Sequence, residues 1–309
     1  MLLAGAVLHG AVNAGTPVAL AAVGEVVAER SGVMNLGVEG MMAAGALAGF
    51  AATLATGSPA VGFLAAAGAG AALAAVHAFA TVTLHANQVA AGLALAMLGA
   101  GLASYLGEGY SREVVPGVPG APVPLLSRIP ILGSGLFDHA PPVYATAFAV
   151  AGAWFFLRRT RPGLRLQVVG EAPATADSLG IGVPLFRYGA VIAGGALAGA
   201  GGAYISLVIS PSWSDGATTG KGWVAVAMVV LGGWGPVRAA LGALLLSGMT
   251  SLQLRLQASG VSLPPSLLEA TPYLVTIALL VVYSSSKLRR RYGAPAALGL
   301  PYHREGSPG

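Results

Sequence analysis

Long apolar runs, broken at intervals by glycine, proline and short polar clusters, set the pattern of this chain. Between Glu39 and Glu108 there is no Asp, Glu, Lys or Arg, an uninterrupted run of 68 residues. About 20 apolar residues carry a helix across the hydrocarbon core of a bilayer, so this run alone predicts three crossings. Turns are expected at Gly57-Ser58-Pro59 and at His85-Ala86-Asn87-Gln88. Further uncharged stretches cover 139–157, 188–214, 222–237, 239–254 and 270–286. These stretches are apolar all round, whereas a helix on the surface of a water-soluble domain keeps a polar face at a period near 3.6. The breaks predict nine membrane segments: 2–23, 33–56, 60–84, 88–106, 142–157, 187–209, 221–233, 236–255 and 269–286. The expected fold class is all-α, a polytopic transmembrane helix bundle of about 8–10 segments, in a single transmembrane domain over 1–309.

Composition agrees. Hydrophobic residues make up 55% of the chain and charged residues 9%, against about 25% charged in a soluble domain. With no cysteine, disulfides and thiolate metal sites are excluded. The first 23 residues are apolar but lack a basic start, and Glu25, Glu29 and Arg30 follow them. They read as a retained membrane helix rather than a cleaved signal.

The basic residues orient the bundle, because cytoplasmic loops collect Lys and Arg. The densest clusters are Arg158, Arg159, Arg161 and Arg165, then Lys287, Arg289, Arg290 and Arg291. Placing both inside also brings Arg30, Arg187, Arg238 and Arg304 inside, 12 of the 16 basic residues. The expectation is a cytoplasmic loop at 157–187, a cytoplasmic basic tail at 287–309, and an extracytoplasmic proline-rich loop at 107–141, ordered on the surface. A pI near 9.7 would suit a nucleic-acid binder, but the arginines form no single patch interleaved with aromatics, so no nucleic-acid partner is expected. Trp154, Trp213, Trp234 and Tyr204 are candidate interfacial anchors.

Candidate chemistry is sparse. The stretch Asp215-Gly216-Ala217-Thr218-Thr219-Gly220-Lys221-Gly222 superficially resembles a P-loop. Its first glycine is one position late, and no hydroxyl follows the lysine to hold magnesium. The pairs Gly45/Gly49 and Gly195/Gly199 read as close helix packing. The histidines lack metal-ligand spacing, and no nucleophile–base set can be assembled. No catalytic residue, metal or cofactor is therefore expected. Polar groups within apolar runs carry more meaning, because burying them unpaired is costly. Asn35 and Glu39 sit among glycines at the start of an apolar run. One reading is a helix start, capped by Asn35 and with Glu39 at the positive end of the helix. The other is a broken helix on a solute path, with Asn35, Glu39, Asn87 and Gln88 as candidate path residues. In the basic loop, Gln167 to Ile181 reads as one short helix, with Pro173 in its first turn, Glu171 near its positive end and Gly180 ending it.

Glu29-Arg30-Ser31-Gly32-Val33-Met34-Asn35-Leu36-Gly37-Val38-Glu39-Gly40-Met41-Met42 resembles a signature of the nucleoside and simple-sugar branch of ABC permeases, related to the branched-chain amino acid permeases. Val169 to Ile181 is similar to that branch's ATPase-docking loop. Gly220-Lys221-Gly222-Trp223, followed by Leu231-Gly232-Gly233-Trp234-Gly235-Pro236, is similar to a third block of the family. Ala172 and Gly233 depart from the common pattern. The resemblance implies a prokaryotic inner- or plasma-membrane importer subunit for a nucleoside or simple sugar. It implies ATPase coupling through Gly170, Glu171, Ala172, Ala176, Asp177, Gly180 and Ile181. The implied partners are a cytoplasmic ABC ATPase that hydrolyses ATP, a second homologous permease in a heterodimer, an extracytoplasmic solute-binding protein or lipoprotein, and membrane lipid. The alternatives are an ion-coupled secondary transporter, which would keep a carboxylate at mid-membrane, and an ABC permease for branched-chain amino acids. A channel would need rings of charge or of carbonyls.

Overall fold

A computed structural model describes residues 2–111, 113–258 and 293–303, together with Leu274, Ala278 and Val281. Eleven α-helices occur among the described residues. They are α1 (Leu2–Arg30), α2 (Val38–Thr56), α3 (Pro59–Ala78), α4 (Gln88–Gly107), α5 (Leu132–Leu136), α6 (Pro141–Arg159), α7 (Arg161–Glu171), α8 (Pro173–Ser178), α9 (Val183–Tyr204), α10 (Lys221–Leu231) and α11 (Pro236–Ala258). No strand is present among them, and the all-α polytopic bundle stands. Six helices are long and apolar enough to cross a membrane: Ala4–Arg30, Val38–Thr56, Pro59–Thr83, Gln88–Tyr110, Val183–Ile209 and Pro236–Ala258. α6 adds 19 residues, uncharged until Arg158. α10, with 11 residues, is too short to cross alone. Eight of the nine expected segments thus appear as helices; the ninth, 269–286, lies outside the described residues apart from three isolated positions.

Lipid offers no hydrophobic drive between helices, so small residues that let backbones approach hold such bundles together. α1 and α9 anchor this one. Gly24 of α1 meets Gly194 of α9 so closely that a Cβ would fall 2.5 Å from the Gly194 carbonyl. α9 then crosses α2 at Gly45/Gly199 and α3 at Gly70/Gly195, with would-be Cβ contacts of 2.3 and 2.1 Å. The paired glycines are helix-packing sites, as expected.

The two ends of the bundle differ. One end gathers Arg30, the α6–α9 connection, the turn before α11 and the strap 293–303; it is called the basic end below. The opposite end is covered by the proline-rich segment. Val115 N donates to Pro211 O, Ala121 N to His139 O and Val123 N to Phe137 O. His139 stacks on His9 of α1 with ring centroids 4.3 Å apart.

The chain departs from the expected boundaries in two places. α1 runs seven residues beyond 23, to Arg30, because the buried Glu25 and Glu29 find partners inside the fold. α2 begins at Val38 rather than 33, leaving 31–37 without helical bonding.

Candidate functional site

An unwound segment inside a membrane protein must satisfy its backbone polar groups from within. Residues 32–37 do so through side chains far away in sequence. Met34 N donates to Gln88 Oε1 at 2.7 Å, and His77 Nε2 donates to Met34 O at 3.0 Å. Asn35 N donates to Glu25 Oε1 at 3.0 Å, and Gly37 N to Asn35 Oδ1 at 3.1 Å. The segment climbs along α4: Leu36 lies against Gly92, and Gly40 against Leu95 and Ala96. At 1.5 Å per residue, α2 therefore starts about 11 Å above the basic end of α4.

At that depth Glu39 meets a second interruption. Beyond α9 and its terminal π-helical turn, Ile205–Ile209, the chain turns back at the opposite end and descends to the start of α10. The Glu39 carboxylate accepts from Gly220 N at 2.7 Å, Gly222 N at 2.8 Å and Trp223 N at 3.3 Å. The free N–H groups and the dipole at a helix N-terminus favour an anion there. The P-loop-like stretch does cradle an anion, but it is the chain's own carboxylate. Gly220 holds φ +81 at the helix cap, and a Cβ on Gly222 would fall 2.6 Å from the Glu39 Cα.

Above this junction lies a cavity of about 310 Å³. Ser104, Ser206, Ser212, Ser214, Thr218 and Thr219 come from three parts of the chain to line it, with Trp213 and both Glu39 and Asp215. Asp215 Oδ2 accepts from Ser104 Oγ at 3.0 Å. Among the described residues, no Lys or Arg lines the cavity.

The basic end is tied to the same elements. Trp234 Nε1 donates to Glu29 Oε2, and Arg30 Nε donates to Trp234 O at 2.9 Å. Gly170 of α7 packs so closely on the Arg30 carbonyl that a Cβ would lie 2.2 Å from it. The strap crosses both: Ala297 N donates to Gly170 O at 2.9 Å, Gly299 N to Gly32 O at 3.2 Å, and Ala296 N to Glu171 Oε2 at 3.1 Å. Three blocks distant in sequence, 29–42, 169–181 and 220–236, thus interlock.

The chain matches, over residues 7–283, the family described as branched-chain amino acid transport system / permease component. It belongs to that family. TsgC13 of Haloferax volcanii, a candidate glucose ABC transporter permease protein, is 41% identical over 99% of this chain and 99% of its own length. The nucleoside ABC transporter permease protein NupC of Lactococcus lactis is 34% identical over 93% of each chain. The guanosine ABC transporter permease protein NupQ of Bacillus subtilis is 34% identical over 93% of this chain and 92% of its own. No solved structure matches. The protein is thus an ABC importer permease, multi-pass in the plasma membrane, working with ATPase and substrate-binding components rather than as a catalytic enzyme itself.

Of the four residues expected on a solute path, the permease brings only Glu39 to the cavity. Asn35 is fully buried and bonds its own turn, Gln88 is buried and holds Met34, and Asn87 caps α4 by accepting from Ala90 N at 3.0 Å. The coupling stretch forms two helices rather than one. α7 ends at Glu171, the chain breaks at Ala172 (φ −147), and Pro173 opens α8. Glu171 therefore ends a helix instead of starting one. Gly180 does adopt φ +75 after α8, and Ala176 is buried with Val169 and Val183 while Asp177 follows on the last turn. Ile181 N bonds back to Ala176 O at 2.9 Å. Tyr204 and Trp213 are not interfacial anchors. Tyr204 is buried and donates to Asn13 Oδ1 at 2.6 Å, and Trp213 packs on Gly107.

Sequence reasoning missed Glu25 and His77 as braces of the unwound segment, and the cavity hydroxyls. Glu25 and Glu29, one turn apart on a helix otherwise free of charge until Arg30, were a readable signal, since carboxylates inside an apolar run need partners. Ser104, Ser206 and Thr218 carried none, because single hydroxyls are ordinary in membrane helices.

Proposed function

We propose that this permease imports a neutral, hydroxyl-rich solute, a nucleoside or simple sugar, through the cavity above Glu39. The observation that supports the reading is the lining itself: six hydroxyl-bearing residues, a tryptophan and, among the described residues, no Lys or Arg. Of its two carboxylates, Glu39 is occupied by backbone N–H groups and Asp215 is engaged by Ser104. A zwitterionic branched-chain amino acid would need a cationic partner for its carboxylate, which the described residues of the lining lack. Sugars and nucleosides present hydroxyls that bond to hydroxyls, and their rings stack on Trp. The functions named for the three relatives, one for glucose and two for nucleosides, point the same way.

The basic end faces the cytoplasm by the distribution of Lys and Arg, so α7, α8 and the turn at Gly180 meet the ATPase, a separate subunit that hydrolyses ATP. The proline-rich cover then faces outward, toward a solute-binding protein or lipoprotein. A second, homologous permease completes a heterodimer. Movement of α7 reaches the path through Gly170 on Arg30, and from there through residues 31–39 to Glu39. The whole chain acts as one permease domain, with 157–187 as its docking loop and 287–309 as its tail.

Solute-dependent ATPase activity of the assembled complex in nanodiscs tests the reading. Stimulation by nucleoside- or sugar-loaded binding protein is expected, with a marked loss in Ser206→Ala and in Thr218→Val. Stimulation by leucine-loaded binding protein instead would overturn it.

A further inference from the structure

A second cavity, of about 470 Å³, opens at the basic end between α6, α7 and the start of α11, well away from the hydroxyl-lined one. Arg30, Arg158 and Arg238 line it, and among the described residues no Asp or Glu does. Glu171, which is not among the lining residues, attracts the Arg30 charge, while Arg238 and Arg158 are close enough to repel it. Arg30 and Arg238 are fixed in place by the carbonyls of the 232–234 turn: Arg238 Nη2 donates to Gly233 O at 2.8 Å and Arg30 Nε to Trp234 O at 2.9 Å. Arg158 is exposed on the last turn of α6 and makes no hydrogen bond among the described residues. Three like charges around one concavity, with no carboxylate among the described residues of its wall, form a receptor for an anion.

Its depth and its rim narrow the choice of anion. The uncharged run of α6 ends at Leu157 and α11 begins at Pro236, so the cavity lies where the apolar spans stop. Trp154 and Trp234 both line it, at the level where indole rings favour the boundary between hydrocarbon and headgroups. Leu164 and Val237 on the rim are 52% and 40% exposed. A free inorganic anion has no use for that apolar collar, whereas a phospholipid sets its phosphate among the arginines and its glycerol and first methylenes along Trp154, Leu164 and Val237. We propose that this cavity is a binding site for the phosphodiester headgroup of an anionic membrane phospholipid. The lipid would bridge the end of α6, the coupling helix α7 and the first turn of α11, three elements that must move together when α7 is pushed. This goes beyond the solute reading, and neither depends on the other.

The test uses the full-length permease, purified in detergent and offered equal amounts of palmitoyl-oleoyl phosphatidylglycerol and phosphatidylcholine, with bound lipid counted by native mass spectrometry. Phosphatidylglycerol should be retained preferentially. Arg158→Gln should weaken its binding about five-fold, the usual effect of one basic side chain near an anionic lipid surface, and Arg158→Lys should restore most of it. Glycerol 3-phosphate at millimolar concentration should displace nothing. Equal retention of the two lipids by the wild-type protein, unchanged binding in Arg158→Gln, or displacement by glycerol 3-phosphate would each overturn the proposal, the last by showing a site for a soluble anion.

Discussion

Removing the Glu39 carboxylate should loosen the start of α10 and close the solute path together. Three N–H groups converge on it, two of them within 2.8 Å. The Gly222 bond is buried, and an orphaned buried donor costs about 1–3 kcal/mol. The Gly220 and Trp223 donors are half-buried beside the cavity, where water can replace the lost oxygen. Loss of the anion from the helix N-terminus adds up to about 2 kcal/mol in a partly buried setting. Glu39→Ala should therefore cost about 3–4 kcal/mol, and Glu39→Gln, which keeps one acceptor oxygen but turns an amide toward the donors, about 2 kcal/mol. The assay pairs thermal unfolding of the detergent-purified complex with uptake in vesicles at matched permease abundance. The expected order in both is wild type, then Gln, then Ala. A Glu39→Ala protein with the wild-type midpoint and wild-type uptake would refute the brace.

Gly180→Val places a β-branched residue at φ +75, where space is open but the backbone is strained by about 1 kcal/mol or more; insertion should be normal while ATPase recovered on co-purification falls. Asn35→Leu removes the acceptor for Gly37 N in a fully buried turn, so abundance and uptake should fall together, and lost uptake at full abundance would point instead to contact with solute. Burial, reinforced by the neighbouring His9, lowers the pKa of His139 in the fold, so the unfolded chain takes up a proton that the folded one resists. The anchorage of 121–139 should therefore be full above about pH 6.5 and weaken as pH falls below it, read as faster proteolysis of the 107–140 segment at pH 5.5 than at pH 7.5; identical rates would contradict this. In the chain's cysteine-free background, Ser127→Cys should react with an impermeant thiol reagent from outside and Thr175→Cys should not, and the reverse pattern would invert the assigned orientation.

The positions of the spans were legible because an uncharged run near 20 residues is hard to house anywhere but in a membrane. Their ends were less so. Glu25 and Glu29 follow the first apolar run and set its expected end at 23, yet both are buried, bonded to the Asn35 amide and the Trp234 indole, and α1 runs on to Arg30. The start of α2 was hidden for the same reason: residues 33–37 are as apolar as those that follow, and they unwind because His77 and Gln88, more than forty residues away, supply what a helix would have supplied. The break at Ala172 was legible in Pro173, which disfavours helix at the residue before it. Glu39 was visible as an odd carboxylate, but nothing in the pattern of Gly220-Lys221-Gly222-Trp223 signals that its backbone N–H groups hold a carboxylate 181–184 residues away.

The central claim is that an ATP-driven complex containing this chain moves a neutral hydroxylated solute and not an amino acid. Its most direct test is uptake into proteoliposomes that hold the permease pair and the ATPase, with the binding protein outside and ATP within. Tritiated nucleosides, glucose and leucine are supplied in separate runs. Accumulation of a nucleoside or the sugar that stops when ATP is omitted, with leucine at background, is the predicted result. Leucine accumulation, or solute entry that proceeds equally without ATP, would contradict it.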